Sequence, residues 1–172
     1  MNMRIRKTRI EDVTAVHKMY CLVASVPGGL ARLNTEISEQ YVREFVEKSI
    51  SSGVALVAEN PNGMIIGEIH AYCSGLYFFS HVLTDLTVAV DPTCRNQGVA
   101  KTLFENFFRK IEQDLNHIER VELISRESNQ IAITFYESLG FRKEGRLEKR
   151  IKNVDGSMEA DIPMGWTKKS QR

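Results

Sequence analysis

The segment Val88-Ala89-Val90-Asp91-Pro92-Thr93-Cys94-Arg95-Asn96-Gln97-Gly98-Val99-Ala100-Lys101 reads as a buried strand, a short turn and a helix start made of small residues. A helix start presents unpaired backbone N–H groups and a partial positive charge. A phosphate or pyrophosphate sits readily on such a group of donors. Gly98 removes the side chain that would hold a ligand away from the backbone. Further along, Asn129, Ala132 and Tyr136 fall at spacings of three and four, which places them on one helix face. A phenol with a pKa of about 10 is protonated at neutral pH and can donate.

Carboxylates and a histidine stand nearby in sequence. Asp85 lies in an otherwise apolar strand, His81 to Val90, where an unpaired charge is costly. It is expected to be buried, and a desolvated carboxylate is a better base than a solvated one, working directly or through water. Glu68, His70 and Tyr72 alternate along the preceding strand and share a face opposite Ile65, Ile69, Ala71 and Cys73. That polar face is a candidate site wall, with Glu68 a second candidate base and His70 more often a hydrogen-bonded sheet residue than a catalyst.

These residues need a scaffold, and the periodicities supply one. Met3 to Lys7 reads as a first strand, and Thr8-x-x-Glu11 as a capping box. Ile10, Val13, Val16, Tyr20 and Val23 recur at helical spacing to about Ser25. Pro27-Gly28-Gly29 then ends the helix and opens a loop through Asn34. Ser38 can cap a second helix with Tyr41, Val42, Phe45, Val46 and Ile50 on one face. Val54 to Ala58 and Met64 to Cys73 form a hairpin about Asn60-Pro61-Asn62-Gly63. His81 to Val90 has the apolar run of a central strand covered on both faces.

A third helix begins near Gly98 with Val99, Leu103, Phe104, Phe107, Phe108, Ile111 and Leu115 as its stripe. Val121 to Arg126 is a strand. Asn129 to Leu139 is a short helix stopped by Gly140, with Ile131, Phe135 and Leu139 expected in the core. Phe141 to Lys152 and Asp161 to Trp166 read as a final hairpin. The order predicts an α+β fold: a mixed, mostly antiparallel sheet of six to seven strands flanked by four helices, as one domain over residues 1–172.

The chain has 172 residues and a formal net charge of +1, so no global field draws in nucleic acid or an anionic membrane. The basic run Arg142-Lys143 to Lys152 carries Glu144 and Glu148 and no interleaved aromatics, which reads as a solvated hairpin. No apolar run approaches the ~20 residues of a membrane span. The first residues hold no apolar core of signal-peptide length, and a cytoplasmic protein is expected. Cys21, Cys73 and Cys94 lie far apart and read as reduced thiols rather than a disulfide or metal framework. Cys94 falls in the proposed ligand turn, where a reactive thiol is the other reading.

At this point the chain resembles the GNAT superfamily of acyl-CoA-dependent N-acyltransferases. Val90-x-Pro92-x-x-Arg95-x-Gln97-Gly98-Val99-Ala100 is similar to its Arg/Gln-x-x-Gly-x-Gly/Ala signature. Asn129-x-x-Ala132-x-x-x-Tyr136-Glu137-x-x-Gly140-Phe141 is similar to its second conserved segment. The ending, Gly140-Phe141-x-x-Glu144-Gly145 followed by Asp155-Gly156 and Asp161, looks like the branch that acetylates amino acids and phosphinothricin-like compounds. Ribosomal-protein N-terminal and polyamine acetyltransferases end similarly.

The resemblance implies direct transfer of an acetyl group from acetyl-CoA, as acyl donor, to a primary amine of a small molecule such as an amino acid, with no metal. A protein or peptide N-terminus as acceptor, or a CoA-binding module without turnover, are the alternatives. It implies that Gln97 to Lys101 hold the pyrophosphate with Arg95, and that Asn96 replaces a common glycine. It also implies that Val88, Ala89 and Val90 pair with the pantetheine arm. Asn129, Ala132 and Tyr136 complete the donor site, with Tyr136 as general acid to the thiolate. The position often held by a catalytic carboxylate is Ser125 here; the phosphinothricin-type position is Asp85. The loop from Pro27 to Asn34 is expected over the acceptor, where Arg32 could meet a carboxylate. A homodimer is a further expectation from the family.

Overall fold

The computed structural model describes residues 2–26 and 28–169. Pro27, read above as the end of the first helix, lies outside the described residues. The elements are β1 (Arg4–Lys7), α1 (Val13–Ala24), α2 (Glu39–Ser52), β2 (Gly53–Glu59), β3 (Ile65–Tyr72), β4 (Val82–Val90), α3 (Val99–Asp114), β5 (Arg120–Arg126), α4 (Gln130–Ser138), β6 (Arg142–Lys143), β7 (Leu147–Lys152) and β8 (Met158–Thr167). They build the expected α+β architecture around one sheet in the order β1-β2-β3-β4-β5-β8-β6, with β7 also on β8. Among the described residues only the β4–β5 pair is parallel. The sheet has eight strands because the segment expected as one strand, Phe141 to Lys152, divides in two. Within β7, Lys149 takes a φ of 53°, and the register between β7 and β8 shifts beside it.

Local chemistry sets the helix starts. Ser38 caps α2 as expected, its Oγ accepting the Tyr41 N–H at 3.1 Å. The cap before α1 falls one residue later than Thr8-x-x-Glu11 predicts. Asp12, held by Arg6 at 2.6 and 2.8 Å, takes the Arg9 N–H at 2.8 Å. A short 3-10 turn, Ile10–Asp12, then leads into the helix. Thr8 is buried instead, its hydroxyl without a partner.

Each face of the sheet carries a core. On one side Leu103, Phe104, Phe107 and Ile111 of α3 pack on Leu56, Ile66, Ile69, Leu83 and Val121. On the other, Val16 and Tyr20 of α1 and Val42, Phe45 and Val46 of α2 pack on Val57 and Ala89. Two expected core residues stay out: Ile50 is half exposed, with Ser49 buried beside it, and Ile131 is 87% exposed, with Ile133 buried in its place. Gly67 lets α3 settle on β3, since a Cβ there would stand 2.8 Å from Val99 Cγ1.

The feature that matters for function is where the sheet opens. β4 and β5 pair only at Val82↔Arg120 and Leu83↔Val121, then run on to Val90 and Arg126 without further pairing. β4 is therefore covered on both sides only at its start. Beyond Leu83, Thr84, Thr87 and Val88 are half-buried and Asp85 is exposed. The expectation of a buried Asp85 is thus corrected: the strands splay at its position.

Candidate active site

The splay opens a cleft of about 860 Å³, lined by both sheet halves, by α4 and by the loop before α2. One wall is mostly backbone. Past Leu83 the β4 edge toward β5, including Val88, Ala89 and Val90, has no strand partner. After a 3-10 turn at Pro92–Cys94, capped by the Asp91 carboxylate on the Thr93 N–H at 2.8 Å, the chain reaches α3 through two left-handed residues. These are Asn96 at φ 59° and Gly98 at φ 80°. Asparagine is one of the few non-glycine residues that visits this region routinely.

Gly98 is the N-cap of α3 and offers no side-chain cap. The first intrahelical donor is the Thr102 N–H, bonded to the Gly98 carbonyl at 3.0 Å. The N–H groups of Val99, Ala100 and Lys101 are therefore free, as the start of any helix requires. A Cβ at Gly98 would meet nothing within 4 Å, so glycine serves the backbone conformation there and leaves open space before the helix. Gln97 turns its amide back onto the Thr93 carbonyl at 3.1 Å, so this residue contributes backbone to the site.

Tyr136 stands on the cleft wall with Asn129 and Ser125. Asn129 Oδ1 caps α4 on the Ala132 N–H at 3.2 Å, which fixes the start of the helix that carries Tyr136. The Tyr136 ring is wedged among Phe104, Phe135 and Phe141, with centroids 5.8–6.0 Å away. Such pairs contribute roughly 0.5–1.5 kcal/mol each beyond area burial, so the ring is held firmly. Burial pushes its phenol up to about 12, and its hydroxyl has no hydrogen-bond partner among the described residues. It is a proton donor that faces the cleft and is not engaged elsewhere.

The opposite wall is built from side chains. A β-bulge in β4 sets two residues, Asp85 and Leu86, against Ala71 alone, between the pairs His70↔Thr87 and Tyr72↔Thr84. Asp85 takes φ 55° within it. Bulges re-aim side chains, and this one turns the carboxylate into the cleft. Tyr72 lies near it: burial and the Asp85 charge push this phenol up to about 12, so it keeps its proton beside the carboxylate. Tyr41 lines the same wall, with the Arg32 guanidinium 4.2 Å above its ring. Burial raises the Tyr41 phenol and Arg32 opposes that rise. Among the described residues Arg32 forms no ion pair with a carboxylate, whereas Arg120, Arg126 and Arg150 on the far wall are all paired.

Glu68 does not reach the cleft. It is fully buried, with its carboxylate accepting from Tyr20 Oη at 2.6 Å and facing His70 Nδ1 at 3.0 Å. As a base in direct contact with an acceptor it is therefore corrected; His70 lies between it and the opening. Of the expected residues, the structure brings Asp85, Val88, Asn129 and Tyr136 to one cleft with Arg32, His70 and Tyr72. Sequence reading missed Tyr20 and Phe45, which it placed in apolar helix stripes. Their polar and stacking roles depend on packing against β3, which helical spacing does not report. Cys94 is half-buried against the α3 core with a free thiol. No group of three or more metal-ligating side chains occurs among the described residues, and no described helix is long and apolar enough to cross a membrane.

The fold has counterparts among known proteins. Over 79 residues the chain is 33% identical to the [ribosomal protein bS18]-alanine N-acetyltransferase of Escherichia coli K12, covering 46% of this chain and 52% of that protein. The chain thus spans about half the length of the curated relatives it matches. An acetyltransferase of the GNAT family from Streptococcus pneumoniae superposes with a TM-score of 0.85 at 20% identity, over 97% of this chain and all of that one. The Salmonella typhimurium protein yncA, solved with acetyl-CoA, gives a TM-score of 0.81 at 18% identity, over 100% of this chain and 97% of that one. The model of the acetyltransferase (GNAT) domain matches residues 51–143, which take in β2 through β6 with α3 and α4, and the chain belongs to that family.

Proposed function

We propose that the protein transfers the acetyl group of acetyl-CoA directly to the primary amine of a small molecule that also carries a carboxylate, such as an amino acid. The observation that carries this reading is a single cleft with two unlike walls. One wall is the unpaired β4 edge at Val88, which leads on along the chain, past the cleft lining, to the free N–H groups at the α3 start; the other offers an unpaired Arg32 and the Asp85 carboxylate.

The donor wall fits acetyl-CoA. The N–H groups of Val99, Ala100 and Lys101, with those of Gln97 and Gly98, suit a pyrophosphate, and Arg95 adds charge beside them. Val88, Ala89 and Val90 can pair with the amides of a pantetheine arm as an added strand would. An N–H near Val90 can polarise the thioester carbonyl, where negative charge develops. Tyr136 then donates to the departing thiolate. Its raised phenol holds its proton more tightly than a thiol of pKa about 8.5, but a thiolate in the same dry wall is desolvated and made more basic too.

On the acceptor wall, Asp85 draws in the ammonium and begins to remove its proton, directly or through a water. Arg32 takes the carboxylate. The test is release of free CoA from acetyl-CoA across a panel of amino acids, polyamines, aminoglycosides and short peptides. Turnover with amino acids above the rest is expected. Preference for peptides with an N-terminal alanine would favour the acceptor type named for the Escherichia coli relative. CoA binding without turnover on any amine would overturn the enzymatic reading.

A further inference from the structure

Three side chains on the acceptor side form a buried hydrogen-bonded chain that the reading above does not use. Tyr20 on α1 and Glu68 on β3 are both fully buried, and His70 is 2% exposed. Tyr20 donates to Glu68 Oε2 at 2.6 Å, and the two Glu68 oxygens stand 3.0 and 3.2 Å from His70 Nδ1. An ionised carboxylate only accepts, so Nδ1 carries the hydrogen in this contact. The imidazole is stacked on Phe45 with ring centroids 3.9 Å apart and 7° between planes, which fixes its plane. His70 borders the cleft, and its Nε2 has no partner among the described residues.

We propose that His70 Nε2 receives the proton lost by the acceptor ammonium, with Glu68 and Tyr20 as positioning residues that hold the tautomer in which Nε2 can accept. The proposal rests on the acetyltransferase reading. It completes the reaction as follows. One ammonium proton moves to His70 Nε2, directly or by way of Asp85. The freed lone pair forms the C–N bond while the thioester C–S bond breaks. The sulfur takes the Tyr136 proton, the new amide nitrogen gives up its second proton to the phenolate through water, and His70 releases its proton to solvent as the one net proton of the reaction.

Three observations favour this division of labour. Asp85 is exposed to solvent, whereas His70 is buried at the edge of the cleft. Glu68 has the burial but no access to the cleft. An imidazole changes charge in the neutral range, where a base for an amine is useful, and a buried anion beside it favours the imidazolium that forms. The charged and titratable groups around His70 are Tyr20 from α1, Tyr41 from α2 with Arg32 on its ring, Glu68 and Tyr72 on β3, and Asp85 on β4. Burial and the Glu68 charge push the Tyr20 phenol well up, so it remains a donor to the carboxylate.

The test is the pH profile of kcat between about pH 6 and 9, where an imidazole titrates, for the wild-type protein and for His70→Gln, Glu68→Gln and Tyr20→Phe. His70→Gln is expected to lose about 100-fold in kcat, the usual scale for a lost general base, with the KM for acetyl-CoA unchanged. Glu68→Gln removes the anion, so the rise of kcat with pH should move to lower pH with a lower plateau. Tyr20→Phe should move it slightly the other way, because the carboxylate loses a donor. If His70→Gln does not fold, the Glu68→Gln profile decides. Wild-type profiles and plateaus in both Glu68→Gln and any folded His70→Gln would overturn the proposal. Absence of turnover in the wild type with every amine would instead overturn the acetyltransferase reading beneath it.

Discussion

The two walls of the cleft recognise by different physics. The wall proposed for the donor is the open edge of β4 at Val88 and one phenol clamped in an aromatic cluster, with the free N–H groups at the start of α3 further along the chain. The acceptor wall is side chain: Arg32, Tyr41, His70, Tyr72 and Asp85 converge from a loop, a helix and two strands. Backbone donors are the same in any sequence that folds this way, so the donor wall can stay fixed while the acceptor wall varies. The match to the family over residues 51–143 takes in Val88 to Lys101 and Tyr136 together with His70, Tyr72 and Asp85, and leaves out Arg32 and Tyr41.

Mutations should separate the walls. The largest effect is expected for Tyr136→Phe: kcat falls by about 100-fold, within the range for loss of a general acid, while the KM for acetyl-CoA stays the same. A comparable loss in both parameters would mean that Tyr136 binds the donor rather than serving the thiolate. Asp85→Asn should lower kcat/KM for the amine by about 10- to 100-fold. Asparagine tolerates the left-handed bulge, so thermal melting should be nearly unchanged; a large drop in Tm would make Asp85 structural.

Arg32→Ala should raise the KM of amino acids by about tenfold, the effect of roughly 1.4 kcal/mol, and leave amines without a carboxylate unaffected. An equal effect on both would remove the carboxylate assignment. Gly98→Ala should raise the KM for acetyl-CoA a few-fold and lower Tm by about 2–5 °C, because a non-glycine residue at positive φ costs about 1–2 kcal/mol. The smallest expected change is with pH. The Tyr136 phenol keeps its proton until about 12, so kcat should show no descending limb from it up to about pH 10, where an unburied phenol would titrate.

The same contrast explains what could be read from the chain. The α3 start needs a glycine at positive φ, small residues and a preceding strand, and those demands are written locally from Val88 to Lys101. The Asn129, Ala132, Tyr136 face follows from helical spacing, and Asn129 does cap α4. Asp85 was visible as a lone charge in an apolar run, yet its exposure was not. That exposure comes from the splay of β4 and β5 and from the bulge opposite Ala71, both products of pairing between distant strands. Tyr20 and Glu68 sit 48 residues apart in sequence and meet only when α1 packs on β3. Their contact was therefore beyond what periodicity can report.

The central claim is direct transfer between two walls of one cleft, and initial-rate kinetics with both substrates varied test it most directly. CoA release measured against an amino acid at several fixed acetyl-CoA concentrations should give intersecting reciprocal plots, because both substrates occupy the cleft together. Parallel plots, with acetylated protein isolated after incubation with acetyl-CoA alone, would show a covalent relay and contradict the account.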